Sequence, residues 1–225
     1  MKSLAGRTIL GSLQLFVFLG VALFAPAWTL DFWQAWVYLS VFTAASALIT
    51  AYLWRFDPKL LERRVNAGPR AEKEKSQKLI QILASLAFIG TLVLPSLDRR
   101  FGWSRIPVVL VIASDALVAL GFLAVFLVYK ANTFTSATIE VAPNQPVIST
   151  GPYAIVRHPM YAGALVLLLA TPPALGSSWG LVMLIPMTLV LVLRLVSEER
   201  FLRKSLPGYT EYCQKVRYRL APLIW

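Results

Sequence analysis

The sequence predicts an all-α integral membrane protein of about six transmembrane helices, and three observations predict it. The 225-residue chain is 57% hydrophobic with only 15% charged residues, more apolar than soluble domains of this size. Several runs of roughly 18 or more residues carry no charge, the length a helix needs to cross about 30 Å of hydrocarbon. The basic excess, a formal net charge of +11, is gathered between the apolar runs. Cytoplasmic loops of membrane proteins are charged in this way, so nucleic acid is not an expected partner.

The first apolar run, 9–27, follows Lys2 and Arg7 and ends in Ala25-Pro26-Ala27, which loosely mimics a signal-peptide cleavage site. It is long for a signal peptide, and Trp28, Trp33 and Trp36 read as an interfacial belt, so it is expected to remain as the first span. Runs 33–54, 79–94 and 106–129 supply three more spans, and 161–175 and 179–196 a closing pair. Thr171-Pro172-Pro173 and Gly176-Ser177-Ser178 are expected to turn that pair into a tight helical hairpin. Run 161–175 covers roughly 22 Å at 1.5 Å per residue, short of the hydrocarbon thickness. Pro186 is expected to kink the last span. Beyond Leu206-Pro207-Gly208, a short cytoplasmic amphipathic helix carries Tyr209 and Tyr212.

Lysine and arginine orient these spans. Segment 55–78 holds eight of them, the tail after Val196 six, and loop 97–105 three. With six spans the N-terminus, 55–78, 130–160 and the tail share one side, which the bias makes cytoplasmic. Asp57 to Arg64 read as a short amphipathic helix lying on anionic headgroups, which makes membrane lipids partners. No repeat divides the chain, and residues 1–225 are expected to form one domain.

Cys213 and His158 are the only residues of their types, so no disulfide, CxxC pair or metal site is expected. The chemistry-bearing stretch runs from Gly151-Pro152-Tyr153 to Arg157-His158-Pro159-Met160-Tyr161-Ala162-Gly163. Pro159 suits the first helical position, leaving free N–H groups and a positive helix end beside Arg157 and His158 for a carboxylate or phosphate. Gly163 admits another backbone or a ligand to the first turn. The plainer alternative has Arg157 snorkelling to lipid phosphates and His158 capping the helix. Further on, Glu198-Glu199 stand at the end of the last span, facing a pocket or paired locally as Arg194–Glu198 and Glu199–Arg203. A cationic anchor, an acidic anchor and aromatic walls match S-adenosylmethionine, and no GxGxxG points to a Rossmann domain.

The order Gly151-Pro152-Tyr153, Arg157-His158-Pro159-x-Tyr161-x-Gly163, Glu198-Glu199 and Tyr209-x-x-Tyr212 resembles the isoprenylcysteine carboxyl methyltransferase family, which is related to the membrane phospholipid methyltransferases. The resemblance covers roughly 132–222, with the catalytic part from about 130, and loop 60–69 looks like bacterial members. It implies a prokaryotic inner-membrane enzyme that binds S-adenosylmethionine between the last spans, the loop before them and the C-terminal helix. By position it makes Tyr153, Arg157, His158, Pro159, Tyr161, Gly163, Glu198 or Glu199, Tyr209 and Tyr212 cofactor contacts. Asn132-Thr133-Phe134 falls where eukaryotic members carry Asn-Phe-His, and the histidine is missing.

Methyl transfer to a carboxylate needs no general base, because that nucleophile is already ionised. An arginine is the natural clamp for it; of Arg157, Arg194 and Arg217, Arg194 stands best at the span's end. An amine or thiol acceptor has a proton to lose, to Glu199 or a tyrosine. The expected acceptor is a lipophilic or lipid-modified molecule that enters from the bilayer beside the short 161–175 helix. A phospholipid amine or a small thiol is the alternative. A carrier or scaffold accounts for fewer of these motifs. Asp115, the one acid inside a span, is expected to make a structural hydrogen bond.

Overall fold

A computed structural model describes residues 4–65, 68, 71, 72 and 74–225. Lys2 and Pro69, and with them part of the basic 55–78 segment, lie outside the described residues. Among the described residues, eight α-helices follow in order: α1 (Leu4–Ala27), α2 (Trp33–Phe56), α3 (Pro58–Val65), α4 (Lys75–Phe101), α5 (Val108–Ala131), α6 (Pro159–Ala174), α7 (Leu184–Ser205) and α8 (Tyr209–Lys215). Five of the described segments are long and apolar enough to cross a membrane: α1, α2, α4, α5, and α7 taken with the 3₁₀ turn Trp179–Met183 that leads into it. The sixth expected span, α6, has 16 residues and is shorter than a full crossing. Exposed Ile9, Val109 and Ile185 show that the apolar surface faces outward, as a lipid-bathed bundle requires.

Glycines and prolines set how closely the helices meet. The α5–α6 seam is built on Gly121 and Gly163. A Cβ on Gly121 would come within 2.9 Å of the Leu167 nitrogen, and one on Gly163 within 3.1 Å of the Ala124 Cβ. Gly163 therefore lets α5 approach the first turns of α6. Pro172 and Pro173, expected in a loop, instead complete the last turn of α6. Pro186 falls in the first turn of α7, just after the 3₁₀ turn Trp179–Met183, where the last span changes helix type.

Around this seam lies a core of Leu19, Leu23, Phe32, Tyr38, Val118 and Leu167. Tyr38 Oη and Thr171 Oγ1 bond across it at 3.2 Å. Asp115, also buried, does not make the expected hydrogen bond: neither carboxyl oxygen has a partner among the described residues, the nearby Tyr38 hydroxyl being taken by Thr171.

Polar groups sort to the two ends of the bundle. At one end Asp98 accepts Ser104 N–H at 2.7 Å and the hydroxyls of Ser104 and Ser177, tying the α4–α5 turn to the α6–α7 turn. The start of α1, the α2–α4 connection, the α5–α6 connection and the tail meet at the other end. There Arg7 pairs with Glu62 at 2.9 Å. Leu60 and Leu61 of α3 are buried against Leu53, so this helix docks into the bundle as well as facing outward.

Candidate active site

Where the basic segments gather, a cavity of about 520 Å³ opens between α4, α5, α6 and α7. Its floor is apolar, with Val125, Ala164, Met187, Val190 and Leu191. Its roof is the connection from Asn132 to Ile148, which has no regular secondary structure and is held mainly by arginines. Arg63 Nη2 donates to Thr133 O at 2.7 Å, Arg64 Nη1 to Ser136 O at 2.8 Å, and Arg194 Nη2 to Ala137 O at 3.0 Å. Asn132 Nδ2 donates to Tyr153 Oη at 3.1 Å, and its Oδ1 accepts the Phe134 N–H at 2.9 Å.

Of the residues the sequence pointed to, Tyr153, Arg157, His158, Pro159, Tyr161, Arg194, Glu198, Tyr209 and Tyr212 line this cavity. Gly163 and Glu199 do not. The two glutamates diverge because neighbours on a helix point about 100° apart. Glu198 turns inward, where Tyr161 Oη donates to its Oε2 at 2.5 Å. Glu199 turns away and is buried between Arg157 Nη1 at 3.1 Å and Arg219 Nε at 3.0 Å, with His158 Nε2 at 3.5 Å. Neither expected local pair forms: Arg194 bonds Glu72 at 2.5 Å and Gln77 at 3.0 Å. Arg157 and His158 are both buried, so Arg157 does not snorkel and the His158 side chain makes no cap hydrogen bond.

The aromatic wall is assembled by α8. Gly208, at φ 82°, makes the left-handed turn that starts this helix, a conformation that disfavours residues with a Cβ. Tyr209 and Tyr212 then pack against Leu206 and Val216, with Val147 of the roof alongside. Tyr212 Oη donates to Tyr153 O at 2.7 Å, locking α8 to the segment before α6. Burial pushes the Tyr153 phenol up to about 12, against the opposing pull of the Asn132 hydrogen bond. Burial raises Tyr209 and Tyr212 as well, so all three stay neutral donors at physiological pH. The buried Tyr209 hydroxyl has no hydrogen-bond partner among the described residues.

Sequence reasoning missed Glu72, Gln77 and Arg219. Glu72 and Gln77 sit in or beside a connection whose visible signal is its positive charge, and nothing in the local spacing links either to Arg194. Arg219 lies beyond the last recognisable motif.

Comparison with known proteins covers part of the chain. Residues 109–207, which include α6, α7 and the whole roof, match the phospholipid methyltransferase family. Over 129 residues the chain is 31% identical to the cobalt-zinc-cadmium resistance protein CzcN of Cupriavidus metallidurans, an alignment covering 56% of this chain and 57% of that protein. The chain thus spans little more than half the length of this relative. The cavity lies in a membrane-embedded domain similar to the S-adenosylmethionine-dependent phospholipid methyltransferases.

Proposed function

We propose that this chain is a membrane methyltransferase that binds S-adenosylmethionine in the cavity and methylates a lipophilic acceptor at the cytoplasmic interface. The observation that carries this reading is Glu198. Its carboxylate faces the cavity and forms no ion pair among the described residues, while the nearby Glu72 and Glu199 are each matched by arginine. An unmatched carboxylate in a partly apolar cavity calls for a cationic ligand. The unpartnered Tyr209 hydroxyl and the open N-terminus of α6 offer donors for a ligand's polar end. The volume falls within the roughly 300–1,000 Å³ typical of small-molecule sites.

When bound, the cofactor supplies an electrophilic methyl group on a sulfonium. The protein's part is to hold donor and acceptor in line and to keep water away, which Val190, Leu191 and Met187 below and the roof above provide. An isoprenylcysteine-like carboxylate needs no base and is held by Arg194, exchanging with Glu72. A second reading, an amine-bearing phospholipid or small thiol, draws support from Arg194 being already neutralised by Glu72 and from the family match. Glu198 is then the proton acceptor, since both Glu199 oxygens are engaged by guanidinium groups.

S-adenosylhomocysteine is expected to raise the melting temperature of the detergent-solubilised protein, because a ligand that binds the folded state stabilises it by mass action. No shift at millimolar ligand, with the protein shown to be folded, would defeat the reading. Radiolabelled S-adenosylmethionine, given with acetyl-farnesylcysteine, phosphatidylethanolamine or a small thiol in separate reactions, then separates the acceptors. Base-labile label on the first marks an ester.

A further inference from the structure

Behind the cavity wall lies a cation that no motif announced. Arg219 follows α8 and does not line the cavity, yet its Nε stands 3.0 Å from Glu199 Oε2. Arg157 Nη1 approaches the other oxygen at 3.1 Å, so two guanidinium groups hold this carboxylate from both sides. The main chain fixes Arg219 in turn. Arg157 N–H donates to Tyr218 O and His158 N–H to Arg219 O, each at 2.9 Å, and Arg219 N–H donates to Trp225 O at 2.8 Å. Arg157 Nη2 also donates to Arg217 O at 3.3 Å, and the Arg219 guanidinium lies 5.1 Å from the Trp225 ring centre. The entry to α6, the end of α7 and the tail are bound into one unit.

That unit sets the rotation of the end of α7. Because consecutive helical residues diverge by about 100°, seating Glu199 between Arg157 and Arg219 also turns Glu198 into the cavity against Tyr161. We propose that Arg219 is a positioning residue for the cofactor: by anchoring Glu199 it fixes the direction of Glu198 and the place of His158 without touching the ligand. This rests on reading the cavity as the cofactor site. The Arg219 side chain is 32% exposed but the Glu199 side chain only 6%, so without Arg219 the carboxylate keeps Arg157 on one oxygen and loses its hydrogen bond on the other.

A double-mutant cycle on the full-length solubilised protein tests it, using Arg219→Gln, Glu199→Gln and their combination, with Arg219→Lys alongside. Calorimetry measures S-adenosylhomocysteine affinity, and turnover gives KM for cofactor and acceptor separately. Arg219→Gln is expected to weaken S-adenosylhomocysteine about tenfold and to raise KM for the cofactor, not for the acceptor. Arg219→Lys should recover part of the loss, keeping the charge without the fork. The double variant should bind no more weakly than Glu199→Gln alone, since the two residues act through one contact. Unchanged affinity in Arg219→Gln, or losses that multiply in the double variant, overturns the proposal. If Arg219→Gln does not fold, the cycle is run with Arg219→Lys, and additive losses there overturn it equally. A wild-type protein that fails to bind S-adenosylhomocysteine defeats the cofactor reading and this inference together. Wild-type binding matched by Arg219→Gln defeats the inference alone.

Discussion

Glu198 and Glu199 are chemically identical neighbours with opposite surroundings, one facing the cavity beside Tyr161 and the other clamped by two arginines. Glu198→Gln is expected to weaken S-adenosylhomocysteine binding by about 1–3 kcal/mol, the range for a hydrogen bond to a charged group, with little change in melting temperature. Glu199→Gln should lower the melting temperature as well, because Arg157 is left buried beside an uncharged amide. Calorimetry and thermal melts on both variants check this, and equal effects would contradict the division of roles. Tyr153 offers a pH test. Its folded-state phenol holds a proton to about 12, whereas the unfolded one, near its ordinary 10.0, releases it earlier. The folded state binds the extra proton between these values, so its contribution to stability is lost as pH rises through that window. Wild type should lose more stability there than Tyr153→Phe, measured by chemical denaturation. The sequence displays Tyr153 and the glutamate pair plainly, but not their partners. Spacing suggested Arg194 for Glu198 and Arg203 for Glu199, whereas the structure uses Glu72 for Arg194 and Arg219 for Glu199, over separations that no helical period reveals.

Among the elements, the apolar runs mark the helices well where hydrocarbon demands them. Run 33–54 became Trp33–Phe56 and run 106–129 became Val108–Ala131. Run 79–94 understated α4, Lys75–Phe101, because its ends are polar turns that remain helical outside any apolar pattern. Proline misled once: Pro172 and Pro173 complete the last turn of α6, while Pro186 stands beside the change from 3₁₀ to α-helix within the last span. Gly163, expected to admit another backbone or a ligand, lets α6 lie against α5. A methyl group on Gly121 meets backbone at 2.9 Å and 3.0 Å, while on Gly163 the nearest atom is a side-chain carbon at 3.1 Å. Gly121→Ala should therefore destabilise by about 1–3 kcal/mol, the range for overpacking, and Gly163→Ala by less. Thermal melts in detergent rank the two, and the reverse order would sink this account of the seam.

The whole molecule is polarised, with its cavity and most of its basic residues at one end and the Asp98 cluster at the other. Positive charge predicts that the cavity end is cytoplasmic. In a Cys213→Ser background, a membrane-impermeant maleimide should label Arg105→Cys in intact cells and Lys204→Cys only after lysis. The opposite pattern would invert the topology. This polarity was legible because charge bias and span length are properties of composition, whereas the cavity arises from four helices and a roof that meet only in three dimensions. The roof has one more consequence. Arg63, Arg64 and Arg194 grip it by the carbonyl oxygens of Thr133, Ser136 and Ala137, and a carbonyl is what every amino acid supplies at its position. Roof side chains that face the cavity can therefore be exchanged without removing these three attachments.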